Sequence, residues 1–486
     1  MRAALAAVVA LAARGAATGA GITASLTSSA INTIVAGLLP ALERKIGTIT
    51  IPDISGNKDD FDYSMHDISC HSFTIASAAV ALAPPAALAA ALNGVSVACG
   101  ASWSFHLHSW PHTPSGSGSA DVAVSKTTAA LSVALGARAL RPNLTATSAA
   151  LTVGAVDITL HGSAWDWLLD LFKSELESAV RGALDKSFGP AIVSFVDVDG
   201  NAALGAIPIA VPIAVRAPYN VSEARFGFTA PPVATTTFLG IAVQGDVVPL
   251  NSTVEPPVPA PALPFDGSDA SFMIEGHFSP YLLESAAWTY FSLNLTVWPI
   301  APADIPLGLN VSDAYAIIAP GLPKAFPHAT VSITVAFAAV PAMMIAPEAA
   351  GGISAAAPLM IAFAATPAAG GPPQPAFTLS VNASVALNVS VGPSPTVPGS
   401  LVFSGALRYI SADIALASTA VGPVSVALLQ GLVDLVLPLA CTVLNSDLSR
   451  GFPLPPIAGI EFTSASSLEL LNGFARLGVD FTFNPA

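Results

Sequence analysis

Three histidines in one short stretch, His106, His108 and His112, are the first residues in this sequence whose types and spacing suggest chemistry. The i, i+2 pair would lie on one face of a strand, as two ligands of one metal must. No cysteine or clustered carboxylate stands nearby to complete a coordination set, so they read as exposed loop histidines. Asp166 and Asp170 stand four apart, with Glu175 and Glu177 beyond, which is a spacing for paired acid and base carboxylates. They lie opposite Leu168 and Leu169 at helical periodicity, however, and so read as a solvated face. Asp59, Asp60 and Asp62 lack the spacing and the distal glutamate of a calcium loop. The sequence holds no Gly-x-Ser-x-Gly elbow, Walker loop or His-Glu-x-x-His pair. No catalytic residue, metal or cofactor is assigned, and the chain is not expected to be an enzyme.

Cys70 and Cys99 sit in a β-rich stretch and are expected to form a disulfide in an oxidising compartment, the alternative being two buried thiols. Cys441 falls in an apolar helical pattern and reads as a small core residue.

The compartment is suggested by the amino terminus. Arg2 precedes an apolar run from Ala3 to Ala13, too short to span a bilayer, and small residues Gly15 to Gly21 offer cleavage sites. Residues 1–20 are expected to be a secretory signal cut after Ala20; the alternative is a buried helix. Sequons at Asn143, Asn220, Asn251, Asn294, Asn310, Asn382 and Asn388 fit a glycosylated, secreted or luminal chain.

Of 486 residues, 53% are hydrophobic and 10% charged, against roughly 25% charged in ordinary soluble chains. Bilayer spanning is not expected, because the best internal run, Val421 to Leu444, is interrupted by Pro423, Gln430, Asp434 and Pro438. Formal net charge is −14, with +2 from Arg2 and Arg14, −5 carried by residues 21–228 and −11 by 229–486. Neither half has the basic surplus of a nucleic-acid binder.

Elements recur along the chain. Ser28 to Ile46 predicts an amphipathic helix, with Pro40 expected to kink or shorten it. Thr48 to Pro52 alternates like a strand. Short alternations such as Asp121–Ser125 and Leu131–Leu135 predict an antiparallel sheet or barrel up to about Leu160. A long helix follows, with Ser163 as N-cap and Trp165, Leu168, Leu169, Phe172 and Leu176 on one face. The proline-dense stretch 249–265 predicts an extended, exposed linker. Beyond it the plan repeats: a short helix at Ala314–Phe326, strands at Val331–Val335 and Phe377–Val391, and a late helix from about Val424 to Leu448 with Leu428, Leu432, Leu435, Val436, Leu439, Val443 and Leu444 on its inner face.

Particular motifs add a resemblance. Ile51-Pro52-Asp53-Ile54-Ser55-Gly56 followed by Tyr63-Ser64-Met65, Ala230-Pro231-Pro232, and Arg450-Gly451-Phe452-Pro453-Leu454-Pro455 after the last long helix are similar to the bactericidal/permeability-increasing and lipopolysaccharide-binding protein family, which includes the cholesteryl ester and phospholipid transfer proteins. The likeness runs over nearly all of the chain after the signal. It implies an α+β boomerang: two pseudo-twofold-related antiparallel β-barrels, each wrapped on two helices, joined by a central sheet. It implies domains at 21–228 and 267–486, with central-sheet strands and the linker at 229–266.

The resemblance also implies apolar pockets that hold acyl chains of a phospholipid or similar lipid. The residues taken to line them are Ile34, Val35, Leu38, Leu42, Trp165, Leu168, Leu169, Phe172, Leu176, Leu428, Leu432 and Val436. Implied partners are lipids, membrane or lipoprotein-like surfaces and lipopolysaccharide. Endotoxin-neutralising members carry a basic tip on the first barrel. Here the matching stretch, Trp103 to His112, contains no Lys or Arg, and Trp103, Phe105 and Trp110 are expected to contact membrane instead. The family's strand-to-helix disulfide finds no partner between Trp165 and Phe188. General lipid binding or transfer is therefore the leading expectation, and lipopolysaccharide binding the alternative.

Overall fold

The computed structural model describes residues 19–47, 51–58, 60–108, 115–162, 166–213, 217–265, 271–300, 305, 308, 310–394, 398–453 and 459–484, without the side chains of 58, 166–173, 436, 440, 443, 447, 452, 453, 464 and 465. Strand β1 (Ile22–Thr27) runs directly into helix α1 (Ser28–Ile46). The Thr27 hydroxyl accepts the Ala30 N–H at 3.4 Å, satisfying one of the free donors of the first turn. Arg44 and Lys45 close the last turn, where the helix dipole favours cations. The helix continues through Pro40 to Ile46, so the proline does not shorten it. Ile51 to Asp53 are irregular, which corrects the strand expected there; residues 48–50 lie outside the described residues.

The first sheet contains β2 (Ile54–Lys58), β3 (Phe61–Ala83), β4 (Ala87–Leu107), β5 (Ser115–Arg138), β6 (Arg141–Thr152) and β7 (Ala155–His161). Its order is β2-β3-β4-β5-β6, with β7 also on β5. The strands are longer than the alternations suggest: Asp121–Ser125 and Leu131–Leu135 both belong to the 24-residue β5. The small and polar residues between such runs are bulges, not turns. Gly94 has φ 64° and Lys126 φ 57°, and the β4–β5 register shifts between Leu92 and Val97. Asp67, at φ 54°, accompanies a similar β3–β4 shift between His66 and Ser69. Bulges bend and twist a strand, and here they curl the sheet around α1 and α2 (Asp166–Ser194).

Short strands follow: β8 (Ala210–Pro212), β9 (Ser222–Arg225), β10 (Val233–Ala234), β11 (Phe238–Val243) and β12 (Asp246–Pro249). Strands β8, β9 and β12 form a small sheet of their own. The proline-rich stretch has no regular structure, but it is not wholly exposed, because Pro256 and Leu263 are buried.

The second half begins with β13 (Ile274–Phe278) and α3 (Tyr281–Ser292). Its curled sheet contains β14 (Val297–Ile300), β15 (Thr330–Phe337), β16 (Ala342–Ile345), β17 (Ile353–Thr366), β18 (Gln374–Pro393), β19 (Leu401–Thr419) and, after α4 (Val426–Leu448), β20 (Phe452–Pro453). The chain closes with β21 (Ile460–Leu471) and β22 (Phe474–Phe483). The helix expected at Ala314–Phe326 is instead a 3-10 turn at Ser312–Tyr315 and a short helix at Gly321–Ala325, parted by Pro320.

The central sheet has the order β10-β11-β1-β13-β22-β21. It therefore uses strands from both ends of the chain as well as from 229–266. At its middle β1 pairs antiparallel with β13, Ala24 opposite Gly276. Each of these strands precedes a helix and is flanked outward by the strands that close its own half, β11 on one side and β22 on the other. The pseudo-twofold axis passes between β1 and β13, which makes α3, and not Ala314–Phe326, the counterpart of α1.

Each curled sheet has its own core. The first gathers Val95, Val97, Val124 and Ile158 with Leu176, Leu184 and Phe188 of α2. The second gathers Ile333, Ile361, Phe363, Phe377 and Leu379 with Leu429, Leu432, Val433 and Leu437 of α4. The inner face of α4 is thus turned from the one expected: Leu428, Leu435 and Leu439 are exposed. Polar residues explain the rotation. Gln430 donates to the Ala412 carbonyl at 2.9 Å, the Tyr409 hydroxyl donates to Asp434, and Asn445 both accepts from Leu407 N–H and donates to Leu407 C=O. These side chains bond to backbone or side-chain groups of β19, Asp434 while still exposed to solvent. The same device recurs at Asn32 with Val80 of β3 and at Asn201 with Leu144 of β6. A side-chain amide thereby takes the place of the next strand and satisfies backbone groups that burial would otherwise leave unpaired.

Candidate functional site

A hollow lies where α1 crosses β3 and meets the end of β22. Gly37, Pro40, Ala41 and Arg44 recur at a spacing of three and four, so they share one helical face. Opposite them are Cys70, His71, Ser72 and Phe73 of β3, with Phe483 and Asn484 at the end. The groove between them holds about 710 Å³, within the size range of small-molecule pockets. Its floor is apolar: Phe73 packs on the first core, with its ring centroid 5.5 Å from that of Phe188. Its rim is polar, formed by Glu43, Arg44, His71, Ser72 and Asn484.

The groove owes its shape to missing side-chain bulk. A Cβ on Gly37 would come within 2.5 Å of the Phe483 ring and 3.0 Å of its carbonyl oxygen. The helix approaches the central sheet this closely because position 37 has no side chain. Gly37→Val is expected to push α1 off β22 at a cost of about 1–3 kcal/mol, as overpacking does. Urea unfolding checks the magnitude.

The rim charges are not equivalent. Beyond Met65, β3 has no strand partner on its outer side among the described residues, and α1 covers that edge. Glu43 accepts the Ile75 N–H at 2.7 Å, so its carboxylate is committed to the strand. Lys45 pairs with Asp199 at 3.0 Å. Arg44 points into the open.

The residues expected to line pockets are placed otherwise. Leu42, Leu176 and Leu432 are buried in the two cores, while Ile34, Val35 and Leu38 are half-buried. None of them lines the groove, because they belong to the core-facing side of their helices and the groove uses the small-residue side of α1. Leu428 is 49% exposed and lies on the outer face of α4. Trp165 lies outside the described residues, as do the side chains of Leu168, Leu169, Phe172 and Val436. Inside the first barrel, Val95, Val124, Leu151, Leu184 and Phe188 border a hollow of only about 10 Å³, the volume of about one water. The sequence signal for the groove was Gly37-x-x-Pro40-Ala41-x-x-Arg44, a row of small and helix-unfriendly residues beside the apolar stripe.

The expected membrane tip is also corrected. Trp103 and Phe105 are 1% and 4% exposed and belong to the first core. Their rings stack at 5.9 Å, and the Trp103 indole N–H is shared between the carbonyls of Ser119 and His161 at 2.9 and 3.2 Å. Strand alternation explains this: odd-numbered residues at this end of β4 point inward, which leaves His106 outside. Trp110 and His112 lie outside the described residues. His106 and His108 meet edge to face at 4.7 Å, and His108 Nε2 lies 2.6 Å from Asp62 Oδ2. Hydrogen bonds from Asn57 and then His108 hold the Asp62 carboxyl below its ordinary pKa. Among the described residues no three ligating side chains cluster as a metal site.

Cys70 and Cys99 form a disulfide between directly opposed residues of β3 and β4. Cys441 is a free, buried thiol whose pKa burial raises. None of the seven sequon asparagines is buried.

Comparison with known proteins decides the family. The N-terminal domain of the LBP / BPI / CETP family matches residues 34–199, and its C-terminal domain matches residues 220–483. The chain belongs to the LBP / BPI / CETP family. The bactericidal permeability-increasing protein of Sebastes schlegelii is 24% identical over 462 residues, covering 92% of this chain and 91% of that one. The lipopolysaccharide-binding protein of Mus musculus is 24% identical over 438 residues, covering 86% and 84%. A crystal structure of lipopolysaccharide-binding protein superposes with a TM-score of 0.61 at 22% identity over 96% of this chain and 99% of that one. The fold of this LBP / BPI / CETP member is therefore that of its relatives, two curled antiparallel sheets around a central one.

Proposed function

We propose that this protein is a secreted lipid binder that holds acyl chains at the α1–β3–β22 groove and carries lipid between apolar surfaces. The observation that carries the reading is a groove of about 710 Å³ whose floor is continuous with the first core and whose rim is polar, within a family whose named members include lipopolysaccharide-binding proteins. Burial of a methylene is worth about 0.8 kcal/mol, so a chain of about sixteen carbons gains on the order of 13 kcal/mol over water. Relative to a membrane that gain is near zero. Such a site exchanges lipid between membranes and scarcely releases it into water.

Protein purified from its native source is expected to carry lipid, on the order of one molecule per groove, detected by native mass spectrometry and solvent extraction. A ligand-free protein that takes up no fluorescent phospholipid sinks the reading. Lipopolysaccharide binding is the second reading, favoured by the relatives' names. It predicts binding that weakens sharply with salt, as phosphate contacts do, whereas acyl-chain burial is insensitive to it. The absence of Lys and Arg between Trp103 and His112 favours the first.

A further inference from the structure

We propose that Arg44 is the specificity-determining residue of this groove and that it selects lipids whose headgroup carries a net negative oxyanion. The inference rests on the lipid-binding reading and adds the sign and chemistry of the headgroup.

Three groups with ionisable side chains line the groove: Glu43, Arg44 and His71. Glu43 already accepts the Ile75 N–H, as an α1 side chain must if the edge of β3 that lacks a strand partner is to be satisfied. His71 is exposed on β3 across the groove, where its imidazole offers one further hydrogen-bonding group. Arg44 is exposed on the groove face of α1 and makes no hydrogen bond or ion pair with the described residues. Its neighbour Lys45 is turned away to Asp199. The chain as a whole has a formal net charge of −14, so a guanidinium without a partner among the described residues at the mouth of this groove is a local exception.

Geometry gives the exception a use. An acyl chain laid on Phe73 and Ala41 brings its headgroup to the rim, one helical turn beyond Ala41, where Arg44 stands. A guanidinium presents paired N–H donors that match the oxygens of a phosphate or carboxylate in a fork. A zwitterionic headgroup offers the same phosphate but brings an ammonium group that Arg44 repels. A neutral headgroup offers no charge at all.

The test compares wild type, Arg44→Glu and Arg44→Lys. Uptake is measured from vesicles containing fluorescent dioleoyl phosphatidylglycerol or fluorescent dioleoyl phosphatidylcholine, with and without excess inorganic phosphate. Wild type is expected to prefer phosphatidylglycerol. Arg44→Glu is expected to weaken phosphatidylglycerol uptake by about tenfold, the size of a charge-assisted contact discounted for exposure, and to move phosphatidylcholine uptake by less than about twofold. Arg44→Lys should keep part of the preference, because charge remains and the fork is lost. Inorganic phosphate should not displace the lipid. An unchanged ratio between the two lipids in Arg44→Glu overturns the assignment of Arg44 while leaving lipid binding intact. Displacement of lipid by phosphate alone also overturns it, making the rim a plain anion site. Failure of wild type to take up either lipid removes the underlying reading instead.

Discussion

Asp246→Ala should cost about 3 kcal/mol of folding stability, the lower end of what breaking a buried ion pair costs. Asp246 is 2% exposed at the side chain, and the Arg225 side chain beside it is 12% exposed. The pair is bidentate, with Arg225 Nε and Nη2 donating to the two carboxylate oxygens at 2.8 and 2.6 Å. The Tyr281 hydroxyl donates to the same carboxylate at 3.2 Å. Burial, followed by the Asp246 charge, pushes the Tyr281 phenol well above its ordinary pKa, and the Asp246 hydrogen bond holds the Arg225 guanidinium charged. Removing the carboxylate leaves a buried cation and a buried hydroxyl short of an acceptor.

The cost falls at the lower end because Glu255 still reaches Arg225 from the exposed side at 2.7 Å. Since the network joins β9, β12 and α3, the loss should appear where the two halves meet. Denaturant unfolding of Asp246→Ala checks the magnitude. A double variant, Arg225→Met with Asp246→Leu, should recover most of it, because two apolar groups leave no charge to desolvate. A double variant as unstable as the single one would show that the pair holds the junction by geometry and not by charge compensation.

Trp103→Ala should cost about 3–5 kcal/mol, as removal of a buried tryptophan does. The ring is 1% exposed, packed on Phe105 and anchored through its indole N–H. Trp103→Phe should cost less, about 1–3 kcal/mol, because the ring volume is largely kept and the carbonyls of Ser119 and His161 lose a donor. Thermal unfolding separates the two variants. A membrane-contact role gives the opposite pattern: Trp103→Ala would fold with wild-type stability and lose vesicle binding.

Legibility in the sequence differs from element to element. Helix α1 was legible in its bounds, because an apolar stripe and two terminal cations agree, while the shortening expected at Pro40 does not occur. The Cys70–Cys99 bond was legible from the expected compartment. The strands were legible in kind but not in length, because Gly94 and Lys126 signal a break in pairing and the sequence does not distinguish a bulge from a turn. Helix α3 was missed. Its stretch, Tyr281–Ser292, carries aromatic residues on several sides and only Glu284 as a charge, so it offers no clear polar face. The face of α4 is ambiguous for a related reason: most positions are apolar, and the polar Gln430 and Asn445 turn inward to β19.

Local chemistry along the chain determined the element types, the duplication and the absence of a recognisable catalytic motif. Those properties depend on neighbours three or four residues away, or on patterns repeated within one half. Tertiary structure alone decided which helix face closes on a sheet, that Trp103 points inward, and that Gly37, His71 and Phe483 enclose one groove. These depend on bulges that re-aim whole strands and on a central sheet that brings residue 37 against residue 483. Contacts over such a separation leave no periodic trace in the sequence.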